Sequence, residues 1–206
     1  MAERDLAQPV RAPTRDTRAP PHDSARLHVS GAASYADDGT EPPGMLHLAF
    51  GQSTQAHAAI SAIDLSAVRA VPGVVAVYTA ADIPGANDVS PVAHDDRLLA
   101  DGEVLCVGQA VFLVAATSRT AARKAARLGQ IEYAPRAALL SIADARAAES
   151  LIEPTQRMAR GDAATALAAA PHSLSGGFDL GGQDHFYLEG QVAVATPGEE
   201  IGRAHV

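Results

Sequence analysis

Tryptophan is absent from this chain of 206 residues, aromatic residues make up only 4%, and lysine occurs once, at Lys124. Alanine, valine and leucine must therefore supply most of the packing. A single cysteine, Cys106, excludes an intrachain disulfide and a thiolate metal cage. The sequence offers that thiol no activating base, so Cys106 is expected to pack as a small buried hydrophobe. No apolar run approaches the ~20 residues of a membrane-spanning helix, and the N-terminus lacks the apolar core of a secretory signal. Acidic side chains outnumber basic ones, 24 to 16, for a net charge of −8. That balance weighs against nucleic acid and anionic membrane as partners. Phosphate-cradling glycine loops, zinc-spaced His/Cys pairs and a Gly-x-Ser-x-Gly elbow are missing as well. The expectation is a reduced, cytoplasmic protein whose chemistry lies elsewhere.

Hydrophobic residues amount to 47%, enough to bury the core of one large or two small domains. Residues 1–26 carry Pro9, Pro13, Pro20 and Pro21 without periodicity and read as a flexible arm. Asp37-Asp38-Gly39 and Pro42-Pro43-Gly44 are turn chemistry. The two aspartates have no third ligand nearby, so they read as a solvated turn and not as a metal pair. Strands are expected over Met45–Phe50, with Leu46, Leu48 and Phe50 on alternate positions, over His57–Leu65, and over Val74–Tyr78 as a buried strand. Ser66 is the expected cap of a short helix over Ala67–Val71, stopped by Pro72-Gly73. Asn87–Asp101 reads as a long polar connection. Strands over Gly102–Gln109, Val111–Ala115 and Gln130–Tyr133 flank a helix over Arg119–Leu128, with Thr117 or Ser118 as its cap and Gly129 as its C′ residue. Arg119, Arg123, Lys124 and Arg127 form a solvated face on that helix in preference to a phosphate grip. Ser141 and Asp144 open a helix reaching Ala148. The looser pattern around Leu151–Arg160 marks a domain boundary, and a small alanine-rich helix follows from Gly161-Asp162 through Ala170. Leu174–Leu180 is an expected strand leading into a pair of glycines.

The stretch with chemical content is Gly181-Gly182-Gln183-Asp184-His185-Phe186-Tyr187-Leu188-Glu189. Two residues without a Cβ let the backbone approach something bulky. The amide of Gln183 then offers two donors and one acceptor whose charge does not change with pH. Phe186–Leu188 and Gln191–Ala195 are expected to continue as strand. On spacing alone, a bulged strand with Gln183 facing solvent is the favoured reading of the pattern.

This nonapeptide resembles the signature of the xanthine dehydrogenases, in the subunit that carries molybdenum. A second likeness to the same family runs from Ile63 to Gly85, and a third lies in His28-Val29-Ser30-Gly31 and Tyr35-Ala36-Asp37-Asp38. One departure is Ala110, where members commonly place proline after Val-Gly-Gln. The resemblance implies an α+β fold. It places an α/β-hammerhead domain at 27–150, and a linker with the opening strands of a molybdenum-cofactor-binding domain at 151–200. It also implies that Gln183 sits beside the metal, its amide meeting an oxo ligand without itself ligating molybdenum, with Gly182 also facing the cofactor. The metal is held through molybdopterin, so side-chain ligands are not required. His185 is expected to pack beside Gln183 and bond to backbone. Glu189 is structural, because the family's general base lies beyond residue 206.

The activity implied is hydroxylation of xanthine and hypoxanthine with oxygen from water. Electrons leave through iron–sulfur clusters and FAD on a partner subunit to NAD, which implies a hetero-oligomer. An aldehyde oxidase-type subunit and a non-catalytic interaction domain derived from the hammerhead are the alternatives. Most of the active site follows later in such proteins, so the 206 residues alone are expected to be inactive. The last six, Ile201-Gly202-Arg203-Ala204-His205-Val206, break the strand-and-turn pattern after Pro197-Gly198. They back-translate to ATC-GGA-AGA-GCA-CAC-GTC, a common sequencing-adapter sequence, and are expected to be non-native. Amplification of the locus without adapters checks this, and a genomic match to the hexapeptide overturns it.

Overall fold

The computed structural model describes residues 21–91, 94–187 and 189–196. The arm at 1–20 and the hexapeptide at 201–206 lie outside the described residues. The elements are helix α1 (Ala25–Ser30), strands β1 (His47–Gln52) and β2 (Ala58–Asp64), helix α2 (Ser66–Arg69), and strands β3 (Val74–Tyr78), β4 (Glu103–Val104) and β5 (Ala110–Ala116). Helix α3 (Arg119–Ala126), strand β6 (Gln130–Pro135) and helices α4 (Ile142–Ala147) and α5 (Ala163–Ala168) follow. Single 3-10 turns occupy Ala36–Asp38 and Ala80–Asp82. This mixture of helices and antiparallel sheets is the expected α+β class. No described helix is long and apolar enough to cross a membrane. The contacts divide the chain into two units. One is Glu41–Phe178; the other joins residues up to Thr40 with those from Asp179 onward.

The first unit holds two three-stranded sheets, ordered β1-β5-β3 and β4-β2-β6, with every pairing antiparallel. Its core gathers Leu65, Val68, Val77, Val104, Val111, Phe112, Val114 and Ala125. Helix α3 starts where Ser118 accepts the N–H of Ala121 at 3.2 Å, and it buries Ala122 and Ala125 while its arginines stay exposed. Those small residues let it lie close against β1 and β5. Strand β1 carries a less obvious pattern. Leu48 and Phe50 are 62% and 48% exposed, whereas Gly51 is buried. The alternation that locates this strand therefore points to its outer face, because the inner face is cleared for a side chain from β5.

That side chain is Phe112, 1% exposed, which lies opposite Gly51 in the ladder. A Cβ on Gly51 would stand 2.0 Å from the ring, and one on Gly129 would stand 2.4 Å from it. Neither glycine has positive φ. Gly129 is thus not the left-handed residue expected after α3; it leaves room for the ring.

Other expectations shift for equally local reasons. Ser66 lies inside α2, and the carboxylate of Asp64 receives its N–H at 2.8 Å. Strand β3 is half-buried, since it is an edge strand with Val75 and Tyr78 exposed. The strand expected over Gly102–Gln109 shortens to Glu103–Val104, because the side chain of Gln109 folds back to accept the N–H of Leu105 at 2.7 Å. Cys106 falls in the resulting turn and is exposed, not buried.

Filling the space beneath Phe112 is expected to destabilise this unit. Gly51→Ala and Gly129→Ala should each cost about 1–3 kcal/mol by overpacking. Phe112→Leu combined with Gly51→Ala should recover part of the loss. Urea unfolding of the 206-residue chain checks this, and an unchanged midpoint in Gly51→Ala shows that the ring can move aside.

Candidate cofactor-binding site

The second unit brings together segments from far apart in the sequence. Helix α1 ends at Gly31, whose left-handed φ of 72° lets its N–H bond back to Leu27. The chain then turns at Ala36–Asp38. The carboxylate of Asp38 accepts the N–H of Tyr35 at 2.9 Å, and the Tyr35 hydroxyl lies 3.2 Å from Nδ1 of His28. The N–H of Ala36 points outward from this turn and donates to Oε1 of Glu189 at 2.6 Å. Such a distance belongs to the short, charge-assisted class. Ser34, Tyr35, Ala36, Glu189, Gln191 and Val192 line a cleft of about 440 Å³ here. Both partners lay in stretches that the sequence marks, the Tyr-x-Asp-Asp turn and the nonapeptide. Nothing in the sequence signals that they meet.

Within the nonapeptide, a Cβ on Gly181 or Gly182 would meet nothing within 4 Å. Gln183 is exposed, and among the described residues no group hydrogen-bonds to its amide. Asp184 turns its carboxylate back to accept the N–H of Phe186 at 3.3 Å, and Phe186 adopts a left-handed φ of 48°. His185 is exposed and stacks on Tyr187, ring centroids 5.8 Å apart, so it is not packed and backbone-bonded as expected. Leu188 lies outside the described residues.

Among the described residues, the strands expected over Leu174–Leu180, Phe186–Leu188 and Gln191–Ala195 are not formed, and Val194 makes a single bridge. A strand needs a neighbour to pair its N–H and C=O groups. Among the described residues, none runs alongside 174–187. The apolar positions of this stretch stay open, with Phe178 and Phe186 97% and 91% exposed.

Asp64, Asp82, Asp88 and Asp162 are held below the usual carboxylate range by hydrogen bonds from Ser66, Thr79, Ser90 and Thr165, Asp88 to about 2. Asp64 ends β2, Asp82 closes a 3-10 turn, Asp88 lies in the loop after it and Asp162 precedes α5. A larger cleft of about 530 Å³ lies in the first unit, bordered by Arg123, Arg127, Gln52 and Ser53, far in sequence from the glycine pair. The described residues contain no cluster of three or more His, Cys, Asp or Glu able to hold a metal. The free amide of Gln183 and the clear space at Gly181 and Gly182 fit a group that brings its own metal ligands and presents an oxygen acceptor.

Known proteins give this geometry its context. The family described as "Aldehyde oxidase and xanthine dehydrogenase, a/b hammerhead domain" matches residues 30–137. "Molybdopterin cofactor-binding domain" matches residues 145–206. A xanthine dehydrogenase of Oryza sativa subsp. japonica is 39% identical over 188 residues, covering 90% of this chain and 14% of the relative. Aldehyde oxidase 3 of Mus musculus is 38% identical over 198 residues, covering 95% and 14%. Among solved structures, quinoline 2-oxidoreductase from Pseudomonas putida 86 is 30% identical with a TM-score of 0.61, covering 73% of this chain and 21% of that one. The chain thus spans about one seventh of the length of the curated relatives it matches. It belongs to the xanthine dehydrogenase and aldehyde oxidase family of molybdenum oxidoreductases, and it carries that family's α/β-hammerhead domain followed by the opening part of a molybdopterin cofactor-binding domain.

Proposed function

We propose that this chain forms the first part of the molybdenum subunit of a xanthine dehydrogenase. It would act in the cytoplasm beside an iron–sulfur and FAD subunit that passes electrons to NAD. The observation that carries the reading is the Gly181-Gly182-Gln183 stretch, with its free amide and open glycines. When bound, the molybdenum cofactor supplies two-electron oxidation of a purine carbon, with water as the oxygen source. The chain's own part is orientation. The Gln183 NH2 donates to the cofactor's oxo group, and Gly182 lets the backbone come close. A donor of this kind tunes a metal centre from outside its ligand set. A domain boundary near residue 150 is proposed with it, between α4 and α5, where Leu151–Arg160 forms no element.

An aldehyde oxidase-type activity is the second reading. It is favoured by the 38% identity to aldehyde oxidase 3, which nearly equals the likeness to xanthine dehydrogenase. Turnover of xanthine against an aromatic aldehyde by the complete protein separates the two.

In the complete subunit, Gln183→Ala should leave the oxo group short of one donor, a loss of roughly 1–3 kcal/mol. Where that loss falls on the transition state, kcat drops roughly tenfold to a hundredfold. Asp184→Asn is the control, because asparagine keeps an Oδ1 to receive the Phe186 N–H. Xanthine hydroxylation and molybdenum content are measured together, and equal activity per molybdenum in wild type and Gln183→Ala removes Gln183 from the site.

The 206-residue chain alone is expected to hold far less than stoichiometric molybdenum, since its described residues offer one contact segment and no enclosing walls. Metal analysis of the chain purified from a host that makes the cofactor checks this. Near-stoichiometric metal shows that the site is misplaced.

A further inference from the structure

We infer that Glu189 is a positioning residue: its carboxylate pins the Gly-Gly-Gln stretch to the turn at Ala36, and so sets where the Gln183 amide stands. The inference rests on the reading of Gln183 given above and adds the device that holds it. The two residues are separated by 153 positions, yet the Ala36 N–H reaches Glu189 Oε1 at 2.6 Å. The turn that presents this N–H is itself braced. Asp38 accepts the Tyr35 N–H, and the Tyr35 hydroxyl meets His28. The hydrogen bonds closing the turn run from Asp38 N–H to the Tyr35 carbonyl and from Gly39 N–H to the Ala36 carbonyl. The N–H of Ala36 is therefore left for Glu189. On the other side, the stretch from Gly181 to Tyr187 has no strand partner among the described residues, and a Cβ on either of its glycines would meet nothing within 4 Å. A segment so loosely held takes its position from the few bonds at its end, and Glu189 lies six residues after Gln183.

Both ends of this bond can be removed cleanly. Glu189→Ala deletes the acceptor, while Glu189→Gln keeps an Oε1. Ala36→Pro deletes the donor at the first position of a 3-10 turn, where proline's fixed φ is compatible. Tyr35, at φ −110° and ψ 167°, already has the extended backbone that a residue before proline prefers.

The test has two arms. In the 206-residue chain, hydrogen exchange of the Ala36 amide, followed by NMR, should be about tenfold faster in Glu189→Ala, as for a lost bond to a charged acceptor. Glu189→Gln should restore part of the protection. Exchange at the wild-type rate in Glu189→Ala overturns the proposal. In the complete, cofactor-loaded subunit, Glu189→Ala and Ala36→Pro should each lower kcat per molybdenum about tenfold or more at nearly unchanged KM, since small misplacements carry losses of this order. The double variant should be no worse than the poorer single one. Additive losses, or unchanged kcat, overturn the positioning role. Gln183→Ala, run beside them, separates the two claims. If it is inert while the Glu189 effects appear, Gln183 fails and the pin stands. If it impairs turnover while Glu189→Ala changes neither exchange nor kcat, the pin fails alone.

Discussion

The first unit depends on one ring. Among the described residues, Phe112 is the largest fully buried side chain, in a chain with four phenylalanines and no tryptophan. It touches three places at once: Gly51 across the ladder, Gly129 just after α3, and the rest of the core. Only glycine clears enough space at the first two. The ring therefore ties the register of β1 against β5 to the point where the chain leaves α3 for β6. A shift of one residue would bring a Cβ against the ring and turn Phe50 inward.

The glycines of the second unit have the opposite surroundings. Gly51 and Gly129 are small because a neighbour fills the space, whereas Gly181 and Gly182 have clear space around them. The same physical property, a missing Cβ, thus makes room for a ring in one unit and borders open space in the other. The exposed Phe178, Leu180 and Phe186 beside the glycine pair belong to a stretch whose strand pattern has no pairing neighbour among the described residues.

Perturbed carboxylates usually draw attention to function. Here the cause is local: Asp64, Asp82, Asp88 and Asp162 each receive bonds from a serine or threonine two or three residues away. The nonapeptide has a different character, uncharged at Gln183 and open to solvent. That character suits a protein whose cofactor carries the reaction.

Much of the fold was legible in the sequence where the cause was local. Ser118, Ser141 and Asp162 cap the helices they precede, because a side-chain oxygen two or three residues ahead of a free N–H needs no tertiary help. Val74–Tyr78 forms its strand at the expected residues between Pro72-Gly73 and the Ala80 turn. The family was legible too, since Gln183 and its neighbours form a long ordered string. Which face of β1 is buried was decided only by Phe112 on another strand. Whether Leu174–Leu180 pairs was decided by the absence of a neighbour among the described residues, and Cys106 was exposed in the turn closed by the bond that the Leu105 N–H gives to Gln109. The meeting of Ala36 with Glu189 was likewise invisible, because a backbone N–H carries no sequence mark and its acceptor lies 153 residues away. Local hydrogen bonds and propensities are written residue by residue, whereas long-range pairing depends on which distant groups the folded chain brings within reach.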